Sequence, residues 1–291
     1  MSTTMILSET YTLPNGVEIP KIGLGTWMIE DDKVADTVKA AVELGYRHID
    51  TAQAYQNERG VGEGVRSAGI PREELFVTSK LDAGIKSFGE AKAAIDASLE
   101  TMGLNYIDLM IIHSPQPWQN FGDEDRFFEG NLAAWKALEE AYDRGRLKAI
   151  GVSNFQKEDL QNLIDNASVK PMLNQILAHI ANTPFDLIDF IRTNDMVAEA
   201  YSPVGHGEIL KRRDIQSMSK KYGVSVPQLA IRYLLQLGLL PLPKTANPDH
   251  MKMNSEVAFQ ITDEDMETLK NVEKIQDYGE HSVFPVYGGK I

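Results

Sequence analysis

Residues 47–80 read RHIDTAQAYQNERGVGEGVRSAGIPREELFVTSK, and this stretch decides the fold. RHID is a short β-prone run ending in an acid, residues 58–67 carry a helical pattern, and LFVTSK, residues 75–80, is a second apolar run ending in a base. A strand, a helix and a second strand in that order form a parallel unit. The alternation continues on both sides. Upstream, residues 21–25 read as a strand and 33–44 as a helix, with Val34, Val38, Ala41 and Val42 at helical spacing. Downstream, strands at 106–113, 147–153, 171–175, 196–201 and 239–244 alternate with helices at 90–102, 132–144, 157–166, 185–193 and two stretches within 211–236. At the start, Asn15 and Gly16 separate two β-prone runs, the signature of a hairpin. No linker rich in Pro, Gly or Ser interrupts the pattern. It predicts one domain over residues 1–291, an α/β fold in the form of a (β/α)8 TIM barrel with an N-terminal β-hairpin. Residues 114–130 and 275–291 stand outside the repeat, as a long aromatic and acidic loop and a tail rich in Tyr, Phe and Gly.

An open doubly wound sheet alternates in the same way, but its nucleotide site needs G-x-G-x-x-G between the first strand and its helix. The first strand here runs into GLGTWM, and Gly60, Gly62 and Gly64 fall in a helix with the wrong spacing. The P-loop pattern is absent too. Composition narrows the function. Across 291 residues, 42 acidic and 29 basic side chains leave a formal charge of −13, which argues against nucleic acid and anionic membranes as partners. The absence of cysteine excludes disulfides, thiolate nucleophiles and Cys-based metal centres. No H-x-H or H-E-x-x-H spacing points to another metal. MSTTMILSET has no basic n-region, and no apolar run reaches the ~18 residues of a membrane span, so the expectation is a soluble, cytoplasmic, monomeric protein.

In such a barrel, reactive groups come from the C-terminal ends of the strands. Those ends are Thr26-Trp27, Asp50, Lys80, His113, Ser153-Asn154, Gln175, Tyr201-Ser202 and Lys244-Thr245. Asp50, Lys80 and His113 close three consecutive strands, and Tyr55 follows Asp50 after a short loop. Singly, each has a plain structural explanation. Together they form an acid–base set: an ammonium at Lys80 favours the phenolate and should lower the phenol's reference pKa of about 10. Asp50 would keep that ammonium charged, and His113 could donate to a substrate oxygen. This suits a reaction in which negative charge develops on a carbonyl oxygen that must be protonated. His48, two residues before Asp50, reads as barrel packing.

At these residues the sequence resembles the aldo-keto reductase superfamily. The motifs are residues 45–66 (GYRHIDTAQAYQNERGVGEGVR), 75–81 (LFVTSKL), 102–115 (MGLNYIDLMIIHSP), 148–155 (KAIGVSNF) and 242–248 (LPKTANP), in the family's order. The resemblance implies the same barrel and an NADPH-dependent reduction of aldehydes or ketones, with NADH as a further donor and no metal. It implies a tetrad of Asp50, Tyr55, Lys80 and His113, in which Tyr55 protonates the oxygen as hydride reaches the carbonyl carbon. It further implies that Ser153, Asn154 and Gln175 hold the nicotinamide carboxamide, that Tyr201 stacks on its ring, and that Ser202, Val204 and Gly205 follow the pyrophosphate. Thr26 is carried over to the cofactor site as well. Lys244, Thr245, Asn247, His250 and Asn254 match the segment around the adenosine 2′-phosphate.

The chain also departs from the family pattern. His250 stands where an Arg is usual, which removes a permanently charged fork for phosphate. Ser114 replaces the usual Trp after His113 and should leave that wall of the pocket wider and more polar. Leu177 replaces a usual Glu, and Ile180 a usual Pro. Trp27 and Trp118 are expected to line a pocket for a small carbonyl substrate, with Val286 and Tyr287 of the tail closing over it. The rival readings are a nicotinamide-binding regulatory barrel with little turnover and a barrel isomerase or lyase.

Overall fold

The computed structural model describes residues 6–288; residues 1–5 of MSTTMILSET and 289–291 of the tail lie outside. Strands β1 (Thr10–Thr12) and β2 (Glu18–Pro20) form the antiparallel hairpin, with Tyr11 opposite Ile19. Gly16, at φ 85°, supplies the left-handed residue that the turn needs. Asn15 Nδ2 donates to Lys148 O at 2.9 Å and the Tyr11 hydroxyl to Leu239 O at 3.4 Å. Both acceptors lie at the starts of later barrel strands, so the hairpin closes the end of the barrel opposite the mouth.

Eight parallel strands follow in consecutive spatial order: β3 (Leu24–Gly25), β4 (His48–Asp50), β5 (Phe76–Leu81), β6 (Ile107–Ile112), β7 (Leu147–Ser153), β8 (Leu173–Leu177), β9 (Val197–Tyr201) and β10 (Leu240–Leu242). Gly25 bridges Lys244 in parallel, and the amides of Gly23 and Gly25 donate to Pro241 O and Pro243 O at 3.2 and 3.1 Å. That contact brings the last strand against the first and makes a nearly closed (β/α)8 barrel. Its interior is tightly filled: Leu109, Ile111, Ala149, Leu173 and Leu240 are completely buried.

The surrounding helices are α1 (Asp31–Glu43), α2 (Glu58–Arg66), α3 (Phe88–Met102), α4 (Phe128–Asp143), α5 (Lys157–Asn166), α6 (Phe185–Thr193), α7 (Arg213–Lys221), α8 (Val226–Gln236), α9 (Pro248–Ser255) and α10 (Asp263–Lys270). The glycines of α2 are contact points. A Cβ on Gly60 would come within 2.1 Å of Asp31 O, and one on Gly62 within 2.1 Å of Met102 O. The helix is therefore pressed between its neighbours.

Several bounds change: β8 runs Leu173–Leu177 where 171–175 is expected, so Gln175 lies mid-strand, and β10 ends at Leu242 rather than at 244. Strand β3 is two residues long, where residues 21–25 were expected. Helix α4 starts at Phe128, four residues earlier than expected, after a left-handed Phe127 at φ 54°. Helices α9 and α10 fill a stretch in which no helix was expected.

Candidate active site

Side chains from four strands meet inside the mouth. Asp50 is the last residue of β4, Lys80 lies in β5, Gln175 in β8 and Glu199 in β9. Lys80, with no exposed surface, donates from Nζ to Asp50 Oδ1 at 2.5 Å and to Thr51 O at 2.8 Å. Gln175 Nε2 donates to Asp50 Oδ2 at 2.9 Å and to Glu199 Oε2 at 2.7 Å. Tyr55 ends a single 3-10 turn, Gln53–Tyr55, and Lys80 Nζ lies 4.8 Å from its ring centroid. His113 directly follows β6, with its ring 5.8 Å from that of Tyr55 at 74°. The four residues expected to act together are thus brought into contact range.

Other residues hold this arrangement. Gln53 Nε2 donates to Ala94 O and Ser98 Oγ at 3.0 and 2.9 Å, while its Oε1 accepts from the Asp82 amide at 2.8 Å, so the turn carrying Tyr55 is pinned to α3 and to the end of β5. Asn57 joins the loops after β3 and β4: its Oδ1 accepts from Thr51 Oγ1 at 2.7 Å, and its Nδ2 donates to Thr26 O at 2.9 Å and Ile29 O at 3.0 Å. Glu58 accepts from Ser79 and Ser98 at 2.5 and 3.1 Å. Sequence reading missed Gln53, Asn57 and Glu199; the adjacency of Gln53 and Asn57 to Tyr55 was the available signal. His48 packs as expected, completely buried, with Nε2 3.0 Å from Thr78 Oγ1.

Burial sets the electrostatics. It raises Tyr55 above its usual 10.0, with Lys80 opposing it through charge and a hydrogen bond. The lowered phenol expected from Lys80 is therefore not what the protein alone shows, because desolvation outweighs the ammonium. For Lys80, burial works against the charge, but Asp50 and Tyr55 together reverse this and hold the ammonium above 10.5. Burial pushes Asp50 upward while Lys80 and Gln175 pull it back. His113 falls well below 6.5 through burial and the Lys80 charge, so it is neutral. Its Nδ1 is buried without a partner. Glu199 is raised to about 8 by burial and by the Asp50 charge.

The residues expected around a cofactor divide into two groups. At the inner end, Ser153 Oγ donates to Gln175 O at 2.9 Å, Asn154 Nδ2 to His113 O at 3.0 Å, and the Tyr201 hydroxyl to Asn154 Oδ1 at 2.7 Å. Asn154 is left-handed at φ 62°. Ser202, also left-handed, shares a 2.6 Å hydrogen bond with the Tyr287 hydroxyl, and the Gly205 amide donates to Ser202 O at 2.8 Å. Val204 is half-buried against the core. Thr26 is completely buried, with its hydroxyl committed to Asp50 O at 2.9 Å. At the outer end, Lys244, Asn247 and His250 are exposed and Thr245 is half-buried. Thr245 and Asn247 use their side-chain oxygens to cap the turn into α9, whereas Asn254 is buried on that helix. Among the described residues no salt bridge involves Lys244 or His250, and no group of three or more His, Asp or Glu is set to hold a metal.

An aromatic wall surrounds Tyr55. Trp27 lies 6.5 Å from it, 5.3 Å from His206 and 5.1 Å from Phe284, centroid to centroid. Trp118 packs edge-on against His113 at 5.1 Å. Ser114 adds no exposed polar surface to that wall. It is completely buried, its hydroxyl accepting from the Gln116 amide at 3.3 Å, and Trp118 supplies an aromatic to that wall four residues later. Gln116 braces the loop by donating to Asp123 O and Asp125 O at 2.9 and 2.6 Å. The tail folds back in a turn, Pro285–Tyr287, where Tyr287 is buried with Leu177 and Tyr278, and Trp27, Tyr201 and Val286 each pack against that cluster.

A parallel barrel whose strands bring a buried lysine–carboxylate pair beneath a tyrosine holds an acid–base site, and comparison with other proteins names the family. A sequence model of the Aldo/keto reductase family matches residues 21–274. The chain is 37% identical over 275 residues to a glyoxal reductase of Bacillus subtilis, covering 94% of this chain and 96% of that protein. It is 35% identical to an aldehyde reductase of Saccharomyces cerevisiae, with 92% of each chain covered. The crystal structure of a Bombyx mori aldo-keto reductase in complex with NADP superposes with a TM-score of 0.84 at 32% identity, covering 96% of this chain and 98% of that one. The chain belongs to the aldo/keto reductase family, and it is an oxidoreductase of carbonyl compounds that binds a nicotinamide cofactor. No helix of the described residues is long and apolar enough to cross a membrane.

Proposed function

We propose that this protein reduces small aldehydes and ketones to alcohols with NADPH, using Tyr55 as the general acid. The observation that carries the reading is the fully buried Lys80–Asp50 pair, 2.5 Å apart, beneath the Tyr55 ring. The residues fit the cofactor: Ser153, Asn154 and Gln175 offer polar groups at one end, Tyr201 a ring, and Lys244 a cation without an ion-pair partner at the other. When bound, the dihydronicotinamide supplies a hydride to the carbonyl carbon.

The chain's own groups then do the rest. His113, held neutral, donates one N–H to the carbonyl oxygen and fixes its direction. Tyr55 keeps its proton near neutrality because burial raises it, so the acid is present before reaction. The conjugate acid of the developing alkoxide is about as weak as water, pKa ~15.7, so proton transfer from the phenol runs downhill. Lys80 stabilises the phenolate left behind, and Asp50 keeps Lys80 charged in a dry site. Trp27, Trp118 and Phe284 exclude water and favour apolar carbonyl compounds.

The test is a panel of aldehydes, dicarbonyls, α-keto esters and ketones, followed by the loss of NADPH absorbance, with wild type beside Tyr55→Phe. Wild type should turn over several of them, and Tyr55→Phe should lose on the order of 10²–10⁴ in kcat. NADPH binding without any Tyr55-dependent turnover would favour a binding barrel instead.

A further inference from the structure

Among the described residues, Glu199 is the one acid in the barrel interior that the proposed chemistry does not use. It is completely buried in β9, and the strand register sets it directly opposite Gln175 of β8, which is itself opposite Ser153 of β7. Its Oε2 takes one hydrogen of the Gln175 amide at 2.7 Å while Asp50 takes the other at 2.9 Å. The orientation of that amide follows from chemistry. Asp50, paired with Lys80, can only accept, so the atom facing it must be nitrogen, and the same nitrogen faces Glu199. Both of its hydrogens are therefore consumed inside the barrel. The Gln175 carbonyl of the main chain is pinned as well, accepting from Ser153 Oγ and from the Asn154 amide, each at 2.9 Å. Gln175 Oε1 remains, and no hydrogen bond among the described residues uses it.

We propose that Glu199 is a positioning residue for the cofactor: by claiming the second hydrogen of Gln175 it locks the amide plane so that Oε1 alone faces the site, which makes Gln175 an acceptor that selects an N–H donor on the nicotinamide ring substituent. Asp50 alone would hold one hydrogen and leave the amide free to turn about that bond. With two acceptors on two strands the plane is fixed. A carboxamide, which carries an NH2 group, satisfies Oε1, whereas a ketone substituent of the same size leaves it facing a methyl group. No other donor among the described residues competes with Gln175 for Glu199: His48 Nε2 is 3.8 Å from its Oε1, Lys80 is held by Asp50, and Oε1 itself has no hydrogen-bond partner.

The inference rests on the proposed cofactor reading, and the test separates the two. Binding is measured by quenching of protein fluorescence with three probes: NADP+, its 3-acetylpyridine analogue and adenosine 2′,5′-bisphosphate. Wild type should prefer NADP+ over the analogue by about fivefold to tenfold, the worth of one neutral hydrogen bond. E199Q keeps an acceptor in place and should keep that preference. E199M, without an acceptor, and E199D, whose carboxylate falls short of Gln175, should both fall to within about twofold of no preference, with bisphosphate affinity unchanged. Where E199M does not fold, E199D decides. Full preference in either folded variant overturns the role of Glu199, and failure of wild type to bind any of the three probes overturns the cofactor reading instead.

Discussion

The two groups of residues proposed to hold the cofactor are built on different principles. At the inner end, Asp50, Lys80, Gln175 and Glu199 are all but completely buried, and each polar group is placed by another on a neighbouring or facing strand. At the outer end, Lys244 and His250 stand in water with no ion-pair partner among the described residues, and Thr245 and Asn247 serve the turn into α9. In a dry interior a charge interaction is strong and a missing partner is costly; at a surface both effects shrink and salt screens what is left. The chemistry should therefore tolerate almost no change, while recognition of the cofactor's phosphate should be adjustable one residue at a time.

The largest effect belongs to the buried pair. Lys80→Met leaves Asp50 without its cation and should destabilise the fold by about 3–5 kcal/mol in denaturant unfolding, whereas Lys80→Met with Asp50→Leu should recover most of that loss and none of the activity. An unchanged unfolding midpoint in the single variant would place the pair outside the dry interior. The next effect is one of pH. Glu199 is raised to about 8 in the folded protein and returns to an ordinary carboxyl, 4.5, on unfolding, so the folded state binds the extra proton between those values. Its contribution is complete below about 4.5 and is lost as the pH rises through about 8. Wild-type stability should decline by a few kcal/mol across that window, and Glu199→Gln should flatten the decline. Parallel curves for the two proteins would show that Glu199 ionises as freely inside the barrel as outside.

Smaller effects belong to the surface. His250→Arg puts a permanent charge beside the segment proposed to hold the 2′-phosphate and should tighten NADPH about tenfold while leaving NADH within about twofold. Equal tightening of both would remove His250 from that site. Smallest of all, the preference of wild type for NADPH over NADH should narrow about threefold between low and high salt, because an exposed lysine supplies the cation. A preference that ignores salt would mean that buried groups read the phosphate.

Much of this contrast was legible in the sequence, for physical reasons that also mark where reading stopped. Strands that run into a barrel interior are apolar and end in polar groups at the mouth, so Asp50, Lys80 and His113 announced themselves by position. The helices that surround them carry a 3.6-residue period. Glu199 was hidden in VAEAY because its partner is set by register: only the pairing of β8 with β9 puts it opposite Gln175, and spacing along the chain does not encode that. The tail gave its aromatics but not their place against Trp27 and Tyr201. Helices α9 and α10 could have been read. Asn247 followed by Pro248, and Thr262 followed by three acids, are ordinary helix starts, and both side chains do cap their helices. Helix α4 gave no such sign, since the residue before it is a left-handed phenylalanine with no side-chain cap.

The central claim is that the Tyr55 phenol and the Lys80 ammonium act as one unit. Single-turnover hydride transfer with preformed enzyme–NADPH complex, measured in wild type, Tyr55→Phe, Lys80→Met and the double variant, tests this directly. The account predicts a fall of about 10³ in each single variant and a double variant no slower than the slower single. Losses that multiply, or a Tyr55→Phe protein that turns over at the wild-type rate, would contradict it.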